Sequence, residues 1–222
     1  MKKLIILGIG GSSIDILDAV NDINDQQGRP IYECVGFLDD AREAWGREHH
    51  CVKVLGPLDS APNYTDCVFV NGIGNPRNFY RKQSIISTTQ LPLDRFATII
   101  HPSASVSRMS SLGFGTIVFQ NVTIASNATI GNHVIILPNS VVSHDAMIGD
   151  YTCVGGGVCI AGRCEIGTAC YVGANATVME NGKIGDNCLI GMGSVVIDVV
   201  PGNSVVVGNP ARYLRKTIDE AK

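Results

Sequence analysis

Apolar residues recur every six positions through the second half of the chain. Counted from Ile100, they fall at Ile100, Val106, Leu112, Val118, Ile124, Ile130, Ile136, Val142, Ile148, Val154, Ile160, Ile166, Val172, Val178, Ile184, Ile190 and Val196. All seventeen are Ile, Val or Leu, without a slip in register. The position two before each is mostly small or β-branched, as at Ala104, Thr116, Ser140 and Ala176, and the position after is often glycine, as at Gly131, Gly149, Gly167 and Gly185. A period of six fits neither the 3.6 residues of a helical turn nor a heptad. It fits a coil with flat sides of six residues, each sending one aliphatic side chain inward, with small residues at the corners. Hexapeptide repeats of this kind mark parallel β-helices.

The first part of the chain has a different rhythm. Lys3–Leu7 reads as a buried strand, Gly8-Ile9-Gly10-Gly11 as a tight turn, and Ser12–Asn24 as a helix with its apolar face on Ile14, Leu17, Ala19 and Ile23. Val35–Leu38 is a second strand ending at Asp39-Asp40. Cys67–Val70 is a third, and Pro76 enters a helix over about Arg77–Ile86. This alternation predicts a short parallel sheet with right-handed crossovers, a small Rossmann-like α/β domain. Phe96–Ile100 leads into the repeat. Beyond Val196 the repeat fails: Pro201-Gly202 turns the chain, Val205–Val207 closes the end, and Pro210–Ala221 reads as a terminal helix. The expected organisation is an α/β domain over 1–96, a β-helix over 97–200, and a C-terminal turn and helix over 201–222.

Charge follows the same division. Residues 1–96 carry 22 of the 37 charged side chains, residues 97–199 only nine, and Met109 to His144 none. A net charge of −3 argues against a general electrostatic grip on nucleic acid or anionic lipid. No apolar run approaches the ~20 residues of a membrane span. Lys2-Lys3 followed by Leu4–Leu7 is too short an apolar run for a signal peptide, so a cytoplasmic location is expected. The eight cysteines form no CxxC pair and read as reduced thiols. Cys164, Cys170 and Cys188 occupy the small-residue slot of the repeat, whereas Cys153 and Cys159 do not.

Two places could carry chemistry. Gly8, Gly10 and Gly11 would let backbone N–H groups approach a phosphate at a helix N-terminus. The pattern is GxGG rather than GxGxxG, so packing alone could explain it, but Asp39 at the end of the second strand could accept from ribose hydroxyls. Ser12 and Ser13 could add hydrogen bonds or cap the helix. The second place is His144-Asp145. An imidazole can take a proton near neutral pH, and an adjoining carboxylate can orient it, although a surface histidine is the plainer reading. His49-His50-Cys51 reads as a solvated loop. His101, His133 and His144 lack paired-ligand spacing, so no metal is expected. Arg81-Lys82 reads as a solvated helix face.

The repeat is similar to that of the hexapeptide-repeat acyltransferases, whose left-handed parallel β-helix has three sides and 18 residues per coil. On that pattern residues 97–199 hold between five and six coils, a prism roughly 25 Å long. With the first domain added, the whole chain resembles bacterial nucleotide-aminosugar N-acetyltransferases and sialic-acid O-acetyltransferases. The resemblance rests on LGIGG at 7–11, GFLDD at 36–40, ATIIHPSA at 97–104, VVSHDAMIGDY at 141–151 and VVGNPAR at 206–212.

The resemblance implies that His144 is a general base supported by Asp145. It implies that Gly8, Gly10, Gly11, Asp39 and Asp40 bind a nucleotide sugar. It places acetyl-CoA along the prism, between subunits of a homotrimer, against Ala161-Gly162, Gly173-Ala174 and Gly191-Met192, with no metal. Three positions depart from the family pattern. Ser12 stands where histidine is frequent beside the glycine turn, Leu137 where asparagine is frequent near the acceptor, and Cys153 where histidine contacts acetyl-CoA. The expected reaction is direct transfer to a sugar amine. The alternatives are O-acetylation of a free sugar such as sialic acid, and a non-catalytic trimeric scaffold or nucleotide-sugar sensor.

Overall fold

The computed structural model describes residues 1–217. Strand β1 (Lys2–Leu7) is the spine of the first sheet, and Leu4 to Leu7 are fully buried. It runs parallel to β2 (Tyr32–Leu38) on one side. Helix α1 (Gly11–Gln27) connects the two and ends at Gly28, whose φ of 61° is the left-handed conformation that glycine adopts without strain.

Two further strands were not anticipated. A two-residue strand β3 (Glu48–His49) pairs antiparallel with β4 (Val52–Gly56), and β4 lies parallel to β2. Their turn uses His50 and Cys51 in the left-handed region rather than the Asn-Gly or Asp-Gly that announces a hairpin. β5 (Cys67–Asn71) pairs parallel with β1 on its other side, giving the order β3-β4-β2-β1-β5. The helix expected over 77–86 is shorter. A 3-10 turn at Phe79–Arg81 precedes α2 (Lys82–Ser87). Asn75 and Asn78 hold the residues before it in a turn: the Asn75 N–H donates to Asn78 Oδ1 and the Arg77 N–H to Asn75 Oδ1.

The repeat forms seventeen two-residue strands, β6 (Ile99–Ile100) to β22 (Val195–Val196). The second residue of each is the repeat aliphatic. Strands 18 residues apart pair in parallel, so three faces result. The first begins at Ile99–Ile100, the second at Ser105–Val106 and the third at Ser111–Leu112. The left-handed parallel β-helix expected from the repeat is the fold observed.

The interior explains why Ser, Thr and Cys exchange freely in the small slot. At six of these positions the side chain sends its polar hydrogen to a carbonyl of the next coil. Thr116, Ser140 and Thr152 donate to Gly131, Gly155 and Gly167 at 2.7 to 2.8 Å. The thiols of Cys164, Cys170 and Cys188 donate to Met179, Gly185 and Pro201 at 3.1 Å. A buried polar atom is thereby satisfied at each of these positions.

The first face carries the α/β domain. Ile16, Ala19 and Val20 of α1 form one buried cluster with Ile99, Ile117, Phe119, Ile135 and Cys153 of that face. His101 adds a polar tie, with Nε2 2.8 Å from Asp22 Oδ2 on α1 and Nδ1 2.8 Å from Ser103 Oγ.

The terminal helix expected over Pro210–Ala221 is not formed across the described part. β23 (Ser204–Val207) extends the first face in parallel, and β24 (Arg212–Lys216) pairs antiparallel with it. An otherwise unpaired edge of β23 supplies hydrogen bonds that outweigh the segment's local preference. The rest of the expected helix, 218–221, lies outside the described residues.

Candidate active site

His144 sits where the second face turns into the third, just after the strand Val141–Val142. Asp145 follows at the corner position, with φ 58°. That left-handed turn curls its carboxylate back onto the preceding ring, and His144 Nδ1 lies 2.8 Å from Asp145 Oδ2. Asn127, one coil earlier, donates from Nδ2 to the other carboxylate oxygen at 3.1 Å. The hydrogen bond from His144, then that from Asn127, holds the Asp145 carboxyl below the usual carboxylate range. A carboxylate facing Nδ1 selects the tautomer with the proton on Nδ1 and leaves Nε2 as the basic nitrogen. Nε2 has no hydrogen-bond partner among the described residues. Gly162 makes room for the ring: a Cβ there would lie 2.8 Å from His144 Cε1 and Nε2.

The glycine turn lines a second place. Gly8, Gly10, Gly11 and Ser12 border a cavity of about 360 Å3 with Asp39, Asp40, Leu58, Gly72, Gly74 and Asn75. Gly8 has φ +93°, and a Cβ there would collide with Ile73 at 2.7 Å. Asp39 holds the turn in shape. Its Oδ2 accepts from the Ile9 N–H at 3.0 Å, and its Oδ1 from the Ala41 N–H at 2.8 Å. Asp40 accepts from the Leu58 N–H at 3.0 Å. Both acids therefore order the loops around the cavity through the backbone. Ser13 lies behind the turn, buried, with no partner for its hydroxyl among the described residues.

The remaining expected residues divide between corners. Ala161-Gly162 stacks directly on the His144 corner. Gly173-Ala174 and Gly191-Met192 lie one above the other where the first face meets the second, in the same column as Leu137. Leu137 is half-buried against the cluster shared with the α/β domain. Cys153 is a correction. It was expected to face a cofactor, but it is the outward residue of a first-face strand, and the α/β domain covers it to 4% exposure. Its Sγ lies 3.6 Å from Lys82 Nζ and close against Gly74.

Lys82 is a second correction. Read as part of a solvated helix face, it is fully buried, because α2 turns it towards the prism, where Nζ donates to the His133 carbonyl at 2.5 Å. Burial lowers the Lys82 pKa. His133 is buried too, stacked on Tyr151 and edge-on to Phe96, with Nδ1 unpartnered among the described residues. Burial depresses its pKa to about 4. Among the described residues no group of three or more His, Cys, Asp or Glu side chains could hold a metal ion.

Asn127, Gly72, Gly74 and Asn75 escaped the sequence reading. Asn127 stands 18 residues before Asp145, one coil away, so the repeat held that signal. Gly72 to Asn75 follow the C-terminal end of β5, where a parallel sheet places its ligand loops.

Two family models match the chain. Residues 3–85 match the PglD N-terminal domain, and residues 127–162 match the bacterial transferase hexapeptide, six repeats. No match was found among curated proteins. Among solved structures, PerB from Caulobacter crescentus, in complex with CoA and GDP-perosamine, is 24% identical with a TM-score of 0.82. The match covers 97% of this chain and 98% of that one. The acetyltransferase domain of PglB from Neisseria gonorrhoeae, in complex with acetyl coenzyme A, is 22% identical with a TM-score of 0.80, covering 96% and 99%. WeeI from Acinetobacter baumannii is 21% identical with a TM-score of 0.73, covering 96% and 100%. At these identities the likeness carries the fold. The resemblance seen in the sequence thus has a matching family model in each half, the PglD N-terminal domain over 3–85 and the bacterial transferase hexapeptide over 127–162, and the second half is wound as a left-handed β-helix.

Proposed function

We propose that the chain is an acetyl-CoA-dependent N-acetyltransferase whose acceptor is the amine of a nucleotide-linked amino sugar. The observation that carries this reading is the His144–Asp145 contact at 2.8 Å, with Nε2 left free on the prism surface. The acceptor nitrogen attacks the thioester carbonyl as His144 Nε2 takes its proton. Asp145 stabilises the imidazolium. Backbone N–H groups stabilise the oxyanion of the tetrahedral intermediate, which collapses with loss of CoA thiolate, and the imidazolium returns the proton to it. No described helix is long and apolar enough to cross a membrane. A cytoplasmic enzyme would meet both acetyl-CoA and nucleotide sugars there.

The acceptor class is supported by the cavity at the glycine turn and by the PglD N-terminal domain match around it. It is also supported by PerB, a neighbour of the same fold holding CoA and GDP-perosamine. Within one chain the cavity and His144 are apart. The α/β domain sits on the first face, whereas His144 occupies the one corner that does not border that face. A complete site therefore needs a second copy, and a homotrimer with sites between subunits meets that need. Ala161-Gly162 of one copy and Gly173-Ala174 and Gly191-Met192 of another would line the acetyl-CoA groove.

The test is CoA release from acetyl-CoA with UDP-, GDP- and dTDP-linked 4-amino sugars and with free sialic acid. Turnover of one nucleotide amino sugar is expected, with a loss on the order of 10²–10⁴ in His144→Ala. Turnover of sialic acid alone would replace this reading by O-acetylation. No release with any acceptor, together with no binding of acetyl-CoA, would leave a scaffold or sensor.

A further inference from the structure

Between the α/β domain and the prism lies a lysine–thiol pair that the acetyl-transfer chemistry does not use. Lys82 is fully buried and Cys153 is 4% exposed. Lys82 Nζ lies 3.6 Å from Cys153 Sγ, and its other contact is the His133 carbonyl. Among the described residues no carboxylate forms an ion pair with Lys82. Burying an ammonium without a counter-charge is costly, so the neutral amine is favoured. A neutral amine beside a thiol is a nucleophile facing an oxidisable sulfur. Gly74 lines the cavity at the glycine turn, and a Cβ on Gly74 would lie 2.8 Å from Cys153 Sγ, so only backbone separates the thiol from that space.

We propose that Lys82 and Cys153 are an oxidative cross-linking site that locks the α/β domain onto the prism. The oxidant is a hydroperoxide. Its terminal oxygen is transferred to the thiol of Cys153, giving the sulfenic acid; hydrogen peroxide is thereby reduced to water. The amine of Lys82 then attacks that sulfur, the S–O bond breaks, an S–N bond forms, and the amine proton leaves with the hydroxyl as a second water. Cys–SH, Lys–NH2 and H2O2 become Cys–S–NH–Lys and two H2O. Two equivalents of a thiol reductant reverse the link, restoring thiol and amine and leaving with a disulfide of their own. The bond would join residues 71 apart in sequence and on different domains. This inference stands on the domain contact and is independent of the reaction proposed above.

The test uses the full chain carrying Cys51→Ser and Cys159→Ser, because both of those thiols are exposed and would react first. The folded protein is treated with hydrogen peroxide, digested without reductant and read by mass spectrometry. The expected product is one cross-linked peptide pair containing Lys82 and Cys153, about 2 Da lighter than the sum of its parts and released by dithiothreitol. It should be absent from Lys82→Met and from Cys153→Ser. The linked Cys51→Ser/Cys159→Ser chain should also unfold at a higher urea concentration than the same chain reduced. Unmodified Cys153, a sulfinic acid on Cys153 without a link, or a linked pair that retains an oxygen would each overturn the S–N assignment. The linked peptide is identified in the unsubstituted pair, so the result does not depend on either variant folding.

Discussion

His144 and Asp145 are neighbours in sequence, but their side chains meet only because the corner position of each coil is left-handed. An extended pair would send successive side chains to opposite faces. Asp145 tolerates the conformation because its short polar side chain is among those that visit it readily. The ring is then held from below by Gly162, which leaves room for nothing larger than hydrogen. Gly162→Ala should push the imidazole off its line to the acceptor without disturbing the coil's hydrogen bonds. The expected result is a fall in kcat on the order of 10²-fold with far-UV circular dichroism unchanged, since misplacing a base by about 1 Å costs that much. An unchanged kcat would mean that the ring position is not set by Gly162.

The same left-handed corner recurs along the prism. Asn121, Asn127, Asn139, Asn175, Asn181 and Asn187 all occupy it, with φ between 55° and 63°. Asparagine is the commonest solution because it combines tolerance of that conformation with a side-chain amide for the next coil. A β-branched residue there is strained. Asn139→Val should destabilise the fold by about 1–2 kcal/mol, and Asn139→Gly by far less, as read from urea midpoints. A second element-level effect comes from His133. Its folded pKa of about 4 lies below the ordinary value, so the unfolded chain binds the proton more readily. The contribution is fully present above pH ~6.5, declines as pH falls, and is gone below about 4. The melting temperature should therefore drop between pH 7 and pH 4, by the equivalent of up to about 3 kcal/mol. His133→Gln should flatten that slope.

At the scale of the whole molecule the decisive fact is separation. The cavity at the glycine turn and the His144 corner are built by the same chain but face different ways around the prism. Mixing two inactive variants tests whether copies complete each other. His144→Ala removes the base. Gly10→Phe fills the cavity, and nothing lies within 4 Å of the new Cβ, so the fold can accept it. Random co-assembly in a trimer should restore about one quarter of wild-type activity, because one junction in four then pairs an intact base with an intact cavity. No restoration after co-refolding, with trimers present by analytical ultracentrifugation, would place both halves of the site in one chain.

The chain's periodicity alone determined the prism. An aliphatic residue every sixth position, with small residues two places before it, stacks seventeen side chains in register and buries the fourteen from Val118 onward. The left-handed winding came with the family resemblance, whereas the glycine turn beside Asp39 and the neighbouring His144 and Asp145 are local patterns whose contacts lie within one strand–turn–helix unit or one repeat. Long-range contacts were not. The hairpin at Glu48–Gly56 lacked turn residues that announce it, and the terminal segment became a strand because a sheet edge was waiting for it. Lys82 looked like a solvated charge, and Cys153 like a cofactor contact, because nothing local tells which prism face the α/β domain will cover. Tertiary structure decided that, through the packing of Ile16, Ala19 and Val20 against the first face. It thereby buried an amine beside a thiol and set the cavity at the glycine turn apart from His144. Burial and apposition are properties of the assembled surfaces, and a one-dimensional pattern does not contain them.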